Sequence, residues 1–262
     1  MTADGVVLTI EDGVARITLD RPELGNSIDV PMARALLAET IRCDTDPAVR
    51  CILLTGNGRL FCAGGDVKFI AGAGERRPEA LSELIALFHA AVQRLARASK
   101  PLVTLVNGPA AGAGFSLALL GDVAIGARSA HFTAAYGAIG LTADGGLSWL
   151  LPRMVGLRKA QEIILTNRRI KADEAEAIGI LTRIVDDEVL AEEGLRVAKA
   201  LADGPTAALA AARALLADSF ETGLETQLDR EARSMVKAGG GPESEEGLGA
   251  LLAKRPPQFK GA

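Results

Sequence analysis

Residues 100 to 120 constrain the fold of this chain more than any other stretch. Lys100-Pro101-Leu102-Val103-Thr104-Leu105-Val106 is a β-branched, apolar run, Asn107 to Gly114 is rich in glycine, and Phe115-Ser116-Leu117-Ala118-Leu119-Leu120 is apolar with good helix formers. The pattern predicts a strand, a glycine-rich turn and a helix that begins inside the protein. The first N–H groups of such a helix have no intrahelical partner and carry the positive end of the helix dipole. Small residues from 110 to 114 let another molecule approach that backbone, which makes the stretch a socket for an oxygen carrying negative charge.

A second turn of the same kind precedes it. Val49 to Thr55 reads as a buried strand, and Phe61-Cys62-Ala63-Gly64-Gly65-Asp66-Val67-Lys68 as another strand followed by a glycine-rich turn. Two turns placed after strands can aim two N–H donors at one carbonyl oxygen. Removal of one such donor costs about 2.7–4 kcal/mol of transition-state stabilisation.

The remaining pattern is α/β at first and helical later. Val6 to Ile10 and Ala15 to Leu19 alternate around Asp12-Gly13, which predicts a hairpin. Asp29 and Pro31 open a helix through about Cys43. Residues 71 to 78 read as a mobile loop, and Leu81, Leu84, Ile85, Phe88, Val92 and Leu95 mark the apolar stripe of a helix from Pro78 to Ala98, with His89 beside it. Val123 to Ala127 and His131 to Ala135 are expected as short strands. Gly137 to Gly146 is an apolar loop whose one charge, Asp144, is placed to cap a helix from Leu147 to Met154. Helical patterns dominate from Leu157, interrupted by a strand at Leu181 to Val185 and a break at Gly239-Gly240-Gly241-Pro242.

Several chemistries are excluded. Only 3% of residues are aromatic and the formal net charge is −4, which opposes a base-stacking or phosphate-backbone surface and so nucleic acid as a partner. No apolar stretch reaches the length of about 18 residues that spans a membrane, and no secretory signal is visible, so the expectation is a cytoplasmic protein. Cys43, Cys51 and Cys62 lack paired metal-site spacing, so reduced thiols and no metal are expected. Phosphate-loop and dinucleotide fingerprints and the Gly-x-Ser-x-Gly elbow are absent. Ser116 reads as a core hydroxyl bonding back to its own helical turn.

The two glycine-rich segments together give the sequence a familiar look. Phe61 to Lys68 and Val106 to Gly114 resemble the two oxyanion segments of the crotonase superfamily, the enoyl-CoA hydratase/isomerase family, and the resemblance runs from Val6 to Phe259. It implies a crotonase-like ββα superhelix over residues 1–198 and a C-terminal helical trimerisation region over 199–262, assembled as a trimer or a dimer of trimers. It implies an acyl-CoA thioester as substrate, no prosthetic group, and the N–H groups of Gly65 and Ala113 as the oxyanion hole. Leu24 and the backbone of Ala63, Gly64, Asp66 and Val67 would line the path to the CoA adenine. Lys254 lines up with a lysine that meets CoA phosphates, or is a solvated charge of the tail.

The departures from the family pattern direct the chemistry. Hydratases of this family carry two glutamates that hold and deprotonate water, and the matching positions here are Ser116 and Tyr136. Asp144 sits where several relatives place a catalytic aspartate, and Gly140-Leu141-Thr142-Ala143-Asp144-Gly145-Gly146 resembles the segment of dienoyl-CoA and ring-opening epoxyphenylacetyl-CoA isomerases. Trp149-Leu150-Leu151-Pro152-Arg153 shares the look of the latter, and Trp149 is expected near the acyl pocket. The resemblance thus ranks an isomerase working through Asp144 first and a hydratase second. Third stands an aryl-CoA dehalogenase with Asp144 as nucleophile and His89 as base, and a non-catalytic acyl-CoA-binding scaffold is the alternative of another class.

Overall fold

The computed structural model describes residues 4–261. Val6–Glu11 (β1) and Val14–Leu19 (β2) pair antiparallel, with Glu11 opposite Val14. Asp12 and Gly13 turn the hairpin with φ of +52° and +85°, the left-handed pair that matches strand twist. Asp29 then starts Val30–Thr45 (α1) by accepting the Met32 N–H at 3.0 Å.

Cys51–Gly56 (β3) follows, fully buried up to its last residue. The second strand expected at Phe61 is a single bridge, Cys62 to Ala110. Residues 71–78 are largely helical, not a loop. Val67–Gly72 (α2) and one 3-10 turn at Gly74–Arg76 lead directly into Arg77–Arg97 (α3). The start signal is Asp66, whose Oδ1 accepts the N–H groups of Lys68 and Phe69.

Two strand–strand–helix units come next. Leu102–Val106 (β4), Ala110–Ala111 (β5) and Ala113–Ala118 (α4) form the first, and Val123–Ala127 (β6), His131–Thr133 (β7) and Leu147–Val155 (α5) the second. Leu157–Thr166 (α6), Ile170–Lys171 (β8), Ala172–Ala177 (α7) and Arg183–Val185 (β9) complete the core. One sheet has the order β1-β2-β3-β4-β6-β9, and a smaller one the order β5-β7-β8. Each unit therefore places its first strand in the large sheet and its second in the small one, winding the chain into a ββα superhelix.

Between the layers, Phe115 of α4 stacks against Phe132 of β7 with ring centroids 5.1 Å apart. Both are fully buried, a kind of contact whose loss costs about 3–5 kcal/mol per ring. Gly114 brings α4 against the Cys62 carbonyl, because a Cβ there would lie 2.3 Å from that oxygen. Packing and glycine together fix where α4 begins.

Leu190–Asp203 (α8) covers the outer face of the large sheet, with Val197, Ala198 and Ala202 against Leu53, Val103 and Ile125. The division expected between residues 198 and 199 lies inside this helix, which is continuous because residues on both sides bury themselves on the sheet. Thr206–Asp218 (α9), Leu224–Gly239 (α10) and Pro242–Leu252 (α11) form the C-terminal helical region. Arg213 ties it to the core: its guanidinium binds Asp122 at 2.7 Å and donates to the Leu95 and Ala98 carbonyls ending α3. Leu224, Met235, Val236, Leu251 and Leu252 of this region are exposed in the single chain.

Candidate active site

The two glycine-rich turns meet. At the first, Gly64 donates to Cys62 Sγ, the Gly64 carbonyl accepts the Ile28 N–H at 2.8 Å, and Asp66 N–H returns to the Ile28 carbonyl at 2.8 Å. The Gly65 N–H between these bonds has no acceptor among the described residues. At the second, Ala111 donates to the Cys62 carbonyl and Gly112 to the Thr133 carbonyl, while Ala113, the first residue of α4, likewise has none. A Cβ on Gly64 would come within 3.5 Å of the Ala113 nitrogen, and one on Gly112 within 3.8 Å of Gly64 Cα. Both positions have positive φ, +100° and +50°, so glycine serves conformation and close approach at once.

Gly65 and Ala113 line one cavity of about 420 Å³ together with Ala63, Gly64, Val67, Tyr136 and Asp144. Ile70, Leu81, Leu84, Ile85 and Phe88 supply its apolar wall, and Ile139, Leu141 and Thr142 its rim. This size lies in the usual range for small-molecule sites. An apolar chamber with two unpaired backbone donors and one carboxylate is built to hold a polarised carbonyl beside a base.

Three side chains hold the Asp144 segment. The Tyr136 hydroxyl donates to Asp144 Oδ1 at 2.6 Å, the Ser116 hydroxyl donates to the Asp144 carbonyl at 2.9 Å, and the Gly145 N–H donates to His89 Nε2 at 3.0 Å. Burial and the Asp144 charge push the Tyr136 phenol above its usual value, so it remains a donor. Gly145 and Gly146 carry φ of +59° and +84°. A Cβ on Gly145 would collide with Phe88 and Ser116 at 2.6 and 2.9 Å.

The Asp144 side chain does not cap α5. That position is Gly146, without a side-chain bond, and Asp144 only accepts the Leu147 N–H through its carbonyl. Ser116 is fully buried as expected for a core hydroxyl, but its shorter bond goes to Asp144 rather than to the Gly112 carbonyl of its own turn, at 3.5 Å.

The other sequence candidates lie outside the cavity lining. Leu24 is exposed at the end of a 3-10 turn. Asp66 uses its carboxylate on α2 and on Arg21 and Ser27. Lys254 sits in the exposed turn after α11 with φ of +52°. Trp149 is covered by the Arg153 guanidinium, 3.8 Å from its ring centroid, and lines a different cavity of about 450 Å³ beside Leu216 and Phe220. That corrects its expected place near the acyl pocket: α5 turns the ring toward α9.

One supporting residue escaped the sequence reading. Asn26 is fully buried with φ of +56°, and its Nδ2 donates to the carbonyls of Asn57, Leu60 and Phe61. It thereby fixes the chain entering the first glycine-rich turn. The Gly25-Asn26 pair, at home in left-handed turns, was the available signal.

The three cysteines are buried thiols, each pushed up to about 12, above all by burial. Among the described residues no group of three His, Cys, Asp or Glu is placed to hold a metal ion, and no helix is long and apolar enough to cross a membrane.

Known proteins share this arrangement. A profile of the enoyl-CoA hydratase/isomerase family matches residues 9–262. The chain is 40% identical over 255 residues to the 1,2-epoxyphenylacetyl-CoA isomerase of Escherichia coli, covering 96% of this chain and 97% of that protein. It is 32% identical over 244 residues to 4-chlorobenzoyl coenzyme A dehalogenase-2 of Arthrobacter sp, covering 93% and 88%. The crystal structure of an enoyl-CoA hydratase from Polaromonas sp. superposes with a TM-score of 0.92 at 31% identity, covering 97% of this chain and 98% of that one. The ββα superhelix, the paired turns and these matches agree: the chain belongs to the enoyl-CoA hydratase/isomerase family.

Proposed function

We propose that this protein is an enoyl-CoA isomerase that shifts a double bond along an acyl-CoA thioester. The observation that carries the reading is one carboxylate, Asp144, lining the same apolar cavity as the unpaired N–H groups of Gly65 and Ala113. The thioester carbonyl would accept both N–H groups, and the enolate that forms on proton loss is held by them. Asp144 takes the α-proton and returns it at the γ-carbon, which requires one base and no water. CoA enters as part of the substrate, with Lys254 meeting its phosphates and the backbone from Ala63 to Val67 along its path.

Hydration needs a pair of groups to hold and deprotonate water, and Ser116 and Tyr136 are both spent as hydroxyl donors to Asp144. The aryl-CoA dehalogenase reading needs a free imidazole, whereas His89 Nε2 accepts a peptide N–H. We further propose a cytoplasmic homo-oligomer, a trimer or a dimer of trimers, that covers the exposed apolar residues of α10 and α11.

The test is incubation of the protein with 3-enoyl-, 2-enoyl-, dienoyl- and aryl-CoA thioesters in deuterated water, with product masses read out. A shifted double bond without added water is expected, with any deuterium taken up at the γ-carbon where Asp144 returns the proton. Asp144→Asn should keep thioester binding and lose isomerisation by orders of magnitude. Water addition as the main reaction would favour the hydratase, and binding without turnover in the native protein the scaffold.

A further inference from the structure

Asp144 offers the cavity one carboxylate oxygen. Oδ1 accepts the Tyr136 hydroxyl, whereas Oδ2 has no hydrogen-bond partner among the described residues. A carboxylate free to turn about its Cβ–Cγ bond exchanges its two oxygens. Here that turn would break a charge-assisted hydrogen bond, the stronger kind.

The phenol is itself held in place. Tyr136 follows Ala135, whose φ of +66° is unusual for a residue with a Cβ, and the Ala135 N–H is captured by Asn167 Oδ1 at 2.5 Å. On the other side, the Tyr136 N–H donates to the Ala134 carbonyl at 2.9 Å and the Tyr136 carbonyl accepts the Leu141 N–H at 3.0 Å. Strained backbone persists where its surroundings fix it, and such positions cluster at functional sites. The backbone held at Ala135 places Tyr136 in the cavity lining with its hydroxyl on Asp144.

We infer that Tyr136 is a positioning residue that locks Oδ1 of Asp144 and leaves Oδ2 as the sole proton carrier, so that one oxygen removes and returns the proton on one face of the substrate. The inference rests on the isomerase reading above. In the first step the α C–H bond breaks, its proton passes to Oδ2, and its electron pair moves through the α-carbon to the carbonyl oxygen, which becomes the enolate facing Gly65 and Ala113. In the second the carbonyl re-forms, the α and β carbons become doubly bonded, and the pair of the former β–γ double bond takes the proton from Oδ2 at the γ-carbon. Atoms and electrons balance with no co-reactant. With Oδ1 occupied and apolar walls around Oδ2, the carried proton meets the dienolate before it meets water.

The experiment compares native protein, Tyr136→Phe and Asp144→Asn on a 3-enoyl-CoA in deuterated water. Tyr136→Phe is expected to lower kcat about 10- to 100-fold, the scale of a misplaced catalytic group, with KM within about twofold. Its product should carry more deuterium at the γ-carbon than the native product, because a carboxylate that turns freely exchanges its proton first. Native kcat with native deuterium content in Tyr136→Phe overturns the inference, as does a loss of activity with unchanged label. Native turnover in Asp144→Asn overturns the isomerase reading itself, and the inference with it. Tyr136 is the only tyrosine, so growth on 3-fluorotyrosine alters this one donor without removing it. Should Tyr136→Phe fail to fold, a shift in kcat and label with KM held supports the inference in that protein, and no shift overturns it.

Discussion

His89 Nε2 accepts the Gly145 N–H at 3.0 Å. An imidazole nitrogen that accepts carries no proton, so the proton of a neutral His89 lies on Nδ1, and the lone pair that could activate water is engaged by a peptide 56 residues away in sequence. His89→Gln, which can still accept, is expected to keep isomerisation. His89→Leu leaves a partly buried N–H unpaired and should lower stability by about 1–3 kcal/mol, measured by urea unfolding. The native protein should release no chloride from 4-chlorobenzoyl-CoA; release that vanishes in His89→Gln would return the imidazole to a catalytic role.

Gly114→Ala pushes a Cβ against the Cys62 carbonyl and shifts the start of α4, and with it the Ala113 N–H. Because one oxyanion donor is worth about 2.7–4 kcal/mol, kcat should fall roughly 100- to 1,000-fold, read in steady-state assays. Gly239→Ala, at the end of α10 with open space around it, should keep native activity, which separates the local clash from a general effect of losing glycine.

Alkaline pH should destabilise the fold. Cys43, Cys51 and Cys62 are pushed up to about 12 and Tyr136 also upward, all chiefly by burial. The unfolded chain releases its thiol protons near pH 9, while the folded chain keeps them. Stability is therefore full below about pH 9 and declines as pH rises toward about 12. Urea midpoints should drop between about pH 8 and about pH 10.5, and tyrosinate absorbance should appear only with unfolding. A Tyr136 signal that rises while the protein is still folded would contradict the buried donor.

Much of this was legible in the sequence, and the gaps have local causes. The strand, turn and helix of residues 102–118 were readable because β-branched residues, glycines and helix formers follow one another without conflict. Asp12-Gly13 likewise fixed its hairpin through φ alone. The helix at Val67–Gly72 was obscured by Gly72 and Gly74, although Asp66 was a legible cap. Asp144 was visible as the one charge of an apolar loop, but not its partner: the side chain bonds Tyr136 eight residues back rather than the helix ahead. The contacts of His89 with Gly145 and of Trp149 with Arg153 and the second cavity depend on how elements meet, which periodicity does not encode.

The C-terminal helices carry the oligomer prediction. Val236 and Leu252 are 77% and 84% exposed in the single chain, a display of apolar surface that points to a partner. Light scattering should give three or six times the 27.2 kDa chain mass. Val236→Glu combined with Leu252→Glu should reduce it to one, with the Arg213 anchor to Asp122 untouched.

The cavity takes its wall and its base from different parts of the chain. Ile70, Leu81, Leu84 and Ile85 come from α2 and α3, whereas Asp144 and Tyr136 come from the segment after β7. On the proposed isomerase reading, chain-length preference and proton transfer thus have separate genetic handles. Variation at those four aliphatic positions can re-size the chamber while the Asp144 carboxylate keeps its Tyr136 hydroxyl, a division that lets one scaffold change its wall without disturbing its charged group.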